Sequence, residues 1–106
     1  MANGRLGAST LGAASNTTVY TCPADTFSVV TVNVTNRATT SRDIRVAVST
    51  SGSPTTAEYI EYDVELLANG VLERTGIVLS AGQRIVCYAN STDTNAVVYG
   101  IETSTL

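Results

Sequence analysis

Phe27-Ser28-Val29-Val30-Thr31-Val32-Asn33-Val34-Thr35 alternates cleanly, with Val30, Val32 and Val34 on one face and Thr31, Asn33 and Thr35 on the other. Side chains at successive strand positions point to opposite sides, so this period of two marks a half-buried β-strand whose valine face meets the core. After a polar turn, Asn36-Arg37-Ala38-Thr39-Thr40-Ser41, the pattern repeats in Asp43-Ile44-Arg45-Val46-Ala47-Val48, with Ile44, Val46 and Val48 inward. The two stretches read as a hairpin.

Working outward, Thr17-Thr18-Val19-Tyr20-Thr21-Cys22 is an earlier strand ended by Pro23-Ala24-Asp25. A loop at Ser51-Gly52-Ser53-Pro54 follows the second valine stretch, its proline stopping continued pairing. Glu58-Tyr59-Ile60-Glu61-Tyr62-Asp63-Val64-Glu65-Leu66 then sets Ile60, Tyr62, Val64 and Leu66 against Glu61, Asp63 and Glu65. Ala68-Asn69-Gly70 is a turn, and Val71–Thr75 with Ile77–Leu79 reads as two short strands or one bent strand with Gly76 at a bulge. Ser80-Ala81-Gly82-Gln83 turns again. Arg84–Ala89 and Ala96–Glu102 close the chain with continuous apolar runs, which predicts burial on both faces, one against the core and the other against a partner or the N-terminal segment.

Seven or eight short strands with no amphipathic run of helical length make this an all-β chain, expected as a single β-sandwich of jelly-roll or immunoglobulin-like type. Pattern alone does not choose between those topologies. The opening Gly4-Arg5-Leu6-Gly7-Ala8-Ser9-Thr10-Leu11-Gly12-Ala13-Ala14-Ser15 is small and glycine-punctuated. It reads as an extended N-terminal arm over residues 1–16, ahead of a sandwich domain over 17–106, lying on a neighbour through Arg5, Leu6 and Leu11, with an arm folded back on its own domain as the alternative.

Composition narrows the function. The 106 residues contain no histidine, tryptophan or lysine, so the usual side chain for acid–base work near neutral pH is missing and an enzyme is not expected. No cofactor is implied. Six arginines and a formal charge of −3 leave no basic stripe to displace counterions, which argues against nucleic acid. No apolar run nears the roughly twenty residues needed to span a bilayer, and Met1–Gly7 lacks the apolar stretch of a secretory leader, so synthesis in a cytoplasm is expected. There Cys22 and Cys87 read as core thiols, with a disulfide the alternative; two cysteines so far apart without histidine make no recognisable zinc set. The three carboxylates at alternate positions 61, 63 and 65 lie about 7 Å apart along a strand, too far to share an ion without a wrapping loop. They read as a charged solvent face matched across the sheet by Arg45 or Arg74. The apolar residues are mostly Val, Ala, Ile and Leu, a light core that extra burial in a homo-oligomer, such as a trimer, would help.

Gly4-Arg5-Leu6-Gly7, Asn16-Thr17-Thr18-Val19-Tyr20-Thr21-Cys22-Pro23-Ala24, Val32-Asn33-Val34-Thr35-Asn36-Arg37, Tyr59-Ile60-Glu61-Tyr62-Asp63 and Gly70-Val71-Leu72-Glu73-Arg74-Thr75-Gly76 together resemble small virion structural proteins of tailed phages, particularly cyanophages. The resemblance implies a protein made in the host cytoplasm and mounted in many copies on the virion, as a capsid decoration or cement protein. Its partner would be the major capsid protein or another virion protein; a tail, vertex or fibre module contacting the host surface is the alternative. Tyr20, Tyr59, Tyr88 and Tyr99 would then offer stacking faces to a glycan. For the decoration reading, deleting residues 2–15 is expected to abolish attachment while leaving the domain folded.

Overall fold

The computed structural model describes residues 2–106. Eight strands run β1 (Asn3–Thr10), β2 (Ser15–Thr21), β3 (Thr26–Asn36), β4 (Arg42–Ser49), β5 (Tyr59–Leu66), β6 (Val71–Leu79), β7 (Arg84–Ala89) and β8 (Thr94–Ser104), with one short 3-10 turn at Thr56–Glu58. They form two four-stranded antiparallel sheets, ordered β1-β8-β3-β6 and β2-β7-β4-β5. Four of the six pairings are nested, β4 with β5, β3 with β6, β2 with β7 and β1 with β8, and the other two, β3 with β8 and β4 with β7, join these into the two sheets. Apart from the β4–β5 connection, every link carries the chain from one sheet to the other.

The valine face behaves as its alternation predicts. Val30, Val32 and Val34 of the first sheet and Ile44, Val46, Ile85 and Cys87 of the second are buried in one cluster between the layers. Cys22 and Cys87 are both free thiols there. Cys22 Sγ donates to the carbonyls of Thr26 (3.4 Å) and Leu79 (3.7 Å), and burial pushes the Cys87 thiol up to about 12.

Three expectations change. First, β3 and β4 are not a hairpin, because they lie in different sheets. The link between them is fixed by Asn36, wholly buried at the end of β3. Its Nδ2 donates to the carbonyls of Thr40 (2.9 Å), Leu66 (3.0 Å) and Leu67 (3.1 Å), and its Oδ1 accepts from the amide of Ala38 (2.9 Å). One side chain thereby ties the crossover to the end of β5.

Second, Tyr62 points out, 57% exposed. The register of β5 against β4 runs Ile44 to Val64 and then Val46 to Glu61, so Tyr62 and Asp63 share the place opposite Arg45. Asp63 takes a φ of 50° at this bulge, a conformation that aspartate tolerates better than most residues. The extra residue shifts the alternation and turns Tyr62 to solvent. At Gly76, by contrast, the bulge is where the sequence places it: β6 is one strand, with φ of 68° at the glycine.

Third, residues 3–10 do not stand off as an arm. They form β1 at the edge of the first sheet, in register with β8 from Asn3 opposite Ile101 to Thr10 opposite Asn95. Leu11 follows at 0% exposure in the core, and its amide donates to the carbonyl of Thr94 (2.8 Å). Glycine serves close approach here: a Cβ on Gly7 would sit 2.2 Å from the carbonyl oxygen of Val19 in β2.

A carboxylate clamp holds the start of β1. Glu102 accepts from the buried Tyr20 hydroxyl (2.6 Å) and from the Ala2 amide (2.9 Å), joining the two sheets and the N-terminal segment. These hydrogen bonds, Tyr20 first, lower the Glu102 pKa, while burial and then the same hydrogen bond raise that of Tyr20. At the other end Arg42 grips Asp93 with two bonds (2.8 and 2.9 Å) and holds its carboxyl at about 2. Glu58, accepting from the Thr55 amide and the Ser49 hydroxyl, is lowered as well.

Carboxyls whose pKa is depressed by folding contribute stability above their unfolded values, near 4, and lose it as pH falls through the folded ones. A thiol raised by folding contributes below its unfolded value, about 8.5, and loses it as pH rises towards the folded one. The melting temperature is therefore expected to be flat between about pH 5 and 8, to fall below about pH 4 and to fall again above about pH 9. Melting curves followed by circular dichroism across that range check this. A melting temperature unchanged down to about pH 2 would show that the three carboxylates stabilise nothing.

Candidate functional site

The outer faces of the two sheets present their exposed side chains in different ways. On the second sheet Arg45 lies between two rings, 4.2 Å from the centroid of Tyr62 and 4.3 Å from that of Tyr88, and bonds Asp63 through two nitrogens (2.6 and 3.3 Å). Tyr59 meets Tyr62 edge to face at 5.0 Å. Arg74 pairs with Glu61, joining β6 of the first sheet to β5 of the second. Arg45 thus matches Asp63 across its own sheet as expected, whereas Arg74 reaches Glu61 from the other sheet. Among the described residues no cluster of three metal-ligating side chains occurs.

These contacts bear on the tyrosines as stacking platforms. Tyr20 is buried, Arg45 occupies one face of both Tyr62 and Tyr88, and Tyr99 donates to Glu73 (2.8 Å), whose carboxylate raises the phenol pKa. Tyr20 is thereby withdrawn from the surface, and Tyr62 and Tyr88 each have one ring face taken by Arg45. A shallow depression of about 220 Å³ over Ala8–Thr10 and Asn95–Val97 has no aromatic lining. No helix is long and apolar enough to cross a membrane among the described residues.

The outer face of the first sheet differs in kind. Strand alternation turns Phe27 and Val29 of β3, Val78 of β6 and Tyr99 and Ile101 of β8 outward, on the side opposite the core. The register sets Ile101, Val29 and Val78 side by side on three adjacent strands. Val78 is 63% exposed and Ile101 51%. Single exposed apolar residues are ordinary, but a contiguous group across three strands marks a surface that gains from being covered. Each 100 Å² of it removed from water is worth about 2.5 kcal/mol.

The residues singled out in the sequence are divided by the structure. Arg5 lies on this face, on β1 opposite Tyr99. Leu6, at an irregularity in β1, is half-buried and packs against the core, and Leu11 is inside it. Neither leucine offers a contact surface. The continuous run Ala96–Glu102 reads as covered by the core on one side and by a partner or the N-terminal segment on the other; β8 buries Ala96 and Val98 and presents Tyr99 and Ile101 on its outer side, but the sequence reading does not place Val29 and Val78 beside them. The usable signal was position 29, out of phase with the valine face.

No family model matches the chain, and no curated protein matches it in sequence. Among solved structures it is similar to a pentameric capsid protein isolated from metagenomic phage sequences, known from a crystal structure, with a TM-score of 0.47 and 14% identity. The similarity covers 96% of this chain and 64% of that one, so this chain spans just under two thirds of the other's length.

Proposed function

We propose that this chain is a structural protein of a tailed-phage virion, of the cyanophage-like kind that its motifs resemble, and that it serves as a capsid decoration or cement protein on the outer surface of the mature shell. The observation that carries this reading is the apolar surface formed by the exposed Val78 and Ile101 with the half-buried Val29 between them, side by side on three adjacent strands. A monomer gains nothing from keeping such a surface dry side out; an assembling protein does. The nested pairing and the strand orders β1-β8-β3-β6 and β2-β7-β4-β5 support a β-sandwich of jelly-roll rather than immunoglobulin-like type. That architecture is used in shells but does not by itself imply one.

The mechanism is mass action. A protein that binds the assembled lattice and not its dissociated subunits stabilises the lattice in proportion to occupancy. With no covalent step required, the chain needs a rigid scaffold and a sticky face.

Quantifying this protein against the major capsid protein in purified virions tests the assignment. Hundreds of copies in simple proportion to the shell protein are expected. A few copies to a few dozen would overturn shell decoration and assign the chain to the tail, vertex or a fibre.

A further inference from the structure

We propose that the outer face of the first sheet docks on the same face of a second copy of this chain, about a two-fold axis parallel to the strands, with Arg5 of each copy meeting Glu73 of the other. The inference rests on reading this face as an assembly surface and names its partner.

The strand order makes the face self-complementary. An axis running between the two faces, over the gap between β8 and β3, exchanges β8 with β3 and β1 with β6. Ile101 and Val29 are register partners within one copy, so the axis lays Ile101 of each copy over Val29 of the other. The isologous geometry thereby joins the apolar centre to itself, as a closed dimer requires.

Charge agrees with this placement. Among the outward positions of the four strands, the charged side chains are Arg5, on β1 at one edge, and Glu73, on β6 at the other. Arg5 has no ion pair among the described residues, whereas Arg42, Arg45 and Arg74 each have one. Glu73 is held only by neutral groups, the Tyr99 hydroxyl (2.8 Å) and the Asn33 amide (3.5 Å). Arg5 is level with Tyr99 and Thr31, and Glu73 with Asn33. After the exchange of β1 and β6 the two stand one outward position apart, about 7 Å along the strand, a gap that two long side chains span. A single copy cannot bring them together across the width of the sheet. Two copies form the pair twice.

Four strands about 4.8 Å apart and about eight residues long give on the order of 500 Å² of flat face per copy, more with side-chain relief. That is at the small end of specific interfaces, so dissociation is expected on dilution through the micromolar range.

Sedimentation velocity of the full chain over that range is the test, with circular dichroism confirming that each variant is folded. The expected result is a reversible dimer that Ile101→Asp abolishes. Arg5→Glu and Glu73→Arg should each weaken it at least about tenfold by opposing like charges, and the double variant should recover most of the loss. A monomer at every concentration, a trimer, a dimer indifferent to Ile101→Asp, or a double variant no better than the singles would each overturn the proposal. Binding of Ile101→Asp to phage shells lacking this protein separates the two readings. If the parent chain is monomeric and the variant fails to bind, the face meets the shell and only self-association falls. If the parent chain is monomeric and the variant binds as the parent does, the face is no assembly surface and both fall; if the parent is a dimer that the variant loses while still binding the shell, self-association stands and the shell is met by another surface.

Discussion

Removing residues 2–15 is expected to unfold the domain, not to release a soluble core. The truncation strips β1 from the first sheet and leaves β8 with a bare edge from Asn95 to Ile101. It takes Leu11 out of the core at 0% exposure, where even Leu→Ala typically costs about 2–5 kcal/mol. It also removes the Ala2 amide from Glu102 and the Leu11 amide from the Thr94 carbonyl. Domains of this kind hold about 5–15 kcal/mol in all, so these losses together reach the whole of it. Expression of residues 16–106 should give insoluble or unfolded protein, lacking the strand signal in circular dichroism. A soluble fragment with a cooperative melt would show that β1 is dispensable and restore the idea of a detachable arm.

Asn36→Asp should be the most damaging single substitution. The two N–H groups of the native amide are shared among three carbonyl oxygens within 3.1 Å of the nitrogen of a fully buried residue. A carboxylate has no donor to offer, and its oxygen would face those three carbonyls at hydrogen-bond distance. Each buried acceptor left without a partner costs about 1–3 kcal/mol, before the burial of a charge is counted. Asn36→Ala should lose about 3 kcal/mol or more, and Asn36→Asp should not fold at neutral pH. Urea unfolding midpoints, with the exposed Asn16→Asp as control, measure this. An Asn36→Asp unfolding free energy within about 0.5 kcal/mol of the control would show that these bonds contribute no net stability.

The strands were legible because each rests on a local rule. Alternation placed Val30, Val32, Val34, Ile44 and Val46, and Gly76 announced its bulge. What stayed hidden depends on distant partners. Asn36 reads as one more turn residue, since its role needs Thr40, Leu66 and Leu67 to converge on it. Tyr62 follows the period of two until the register with β4 inserts a residue. The glycines before Leu11 read as looseness, yet Gly7 is where β1 passes against the β2 backbone. Of the candidate surface, Arg5 and an outer apolar side of β8 were legible, but Val29 and Val78 beside it were not, because the register that sets three strands side by side is not written in any one of them.

The nesting of β4–β5 inside β3–β6, inside β2–β7, inside β1–β8 also orders the life of the chain in time. During synthesis β1 emerges first but finds its partner last, since Asn3 must wait for Ile101. Only the β4–β5 pair can close early, around the bend at Thr56–Glu58, and each further pair closes a longer loop. So non-local a pairing pattern belongs with slow folders. A nascent chain on the ribosome would carry β3, β2 and β1 unpaired until β6, β7 and β8 are translated in turn, which makes chaperone demand a property of this topology rather than of its stability.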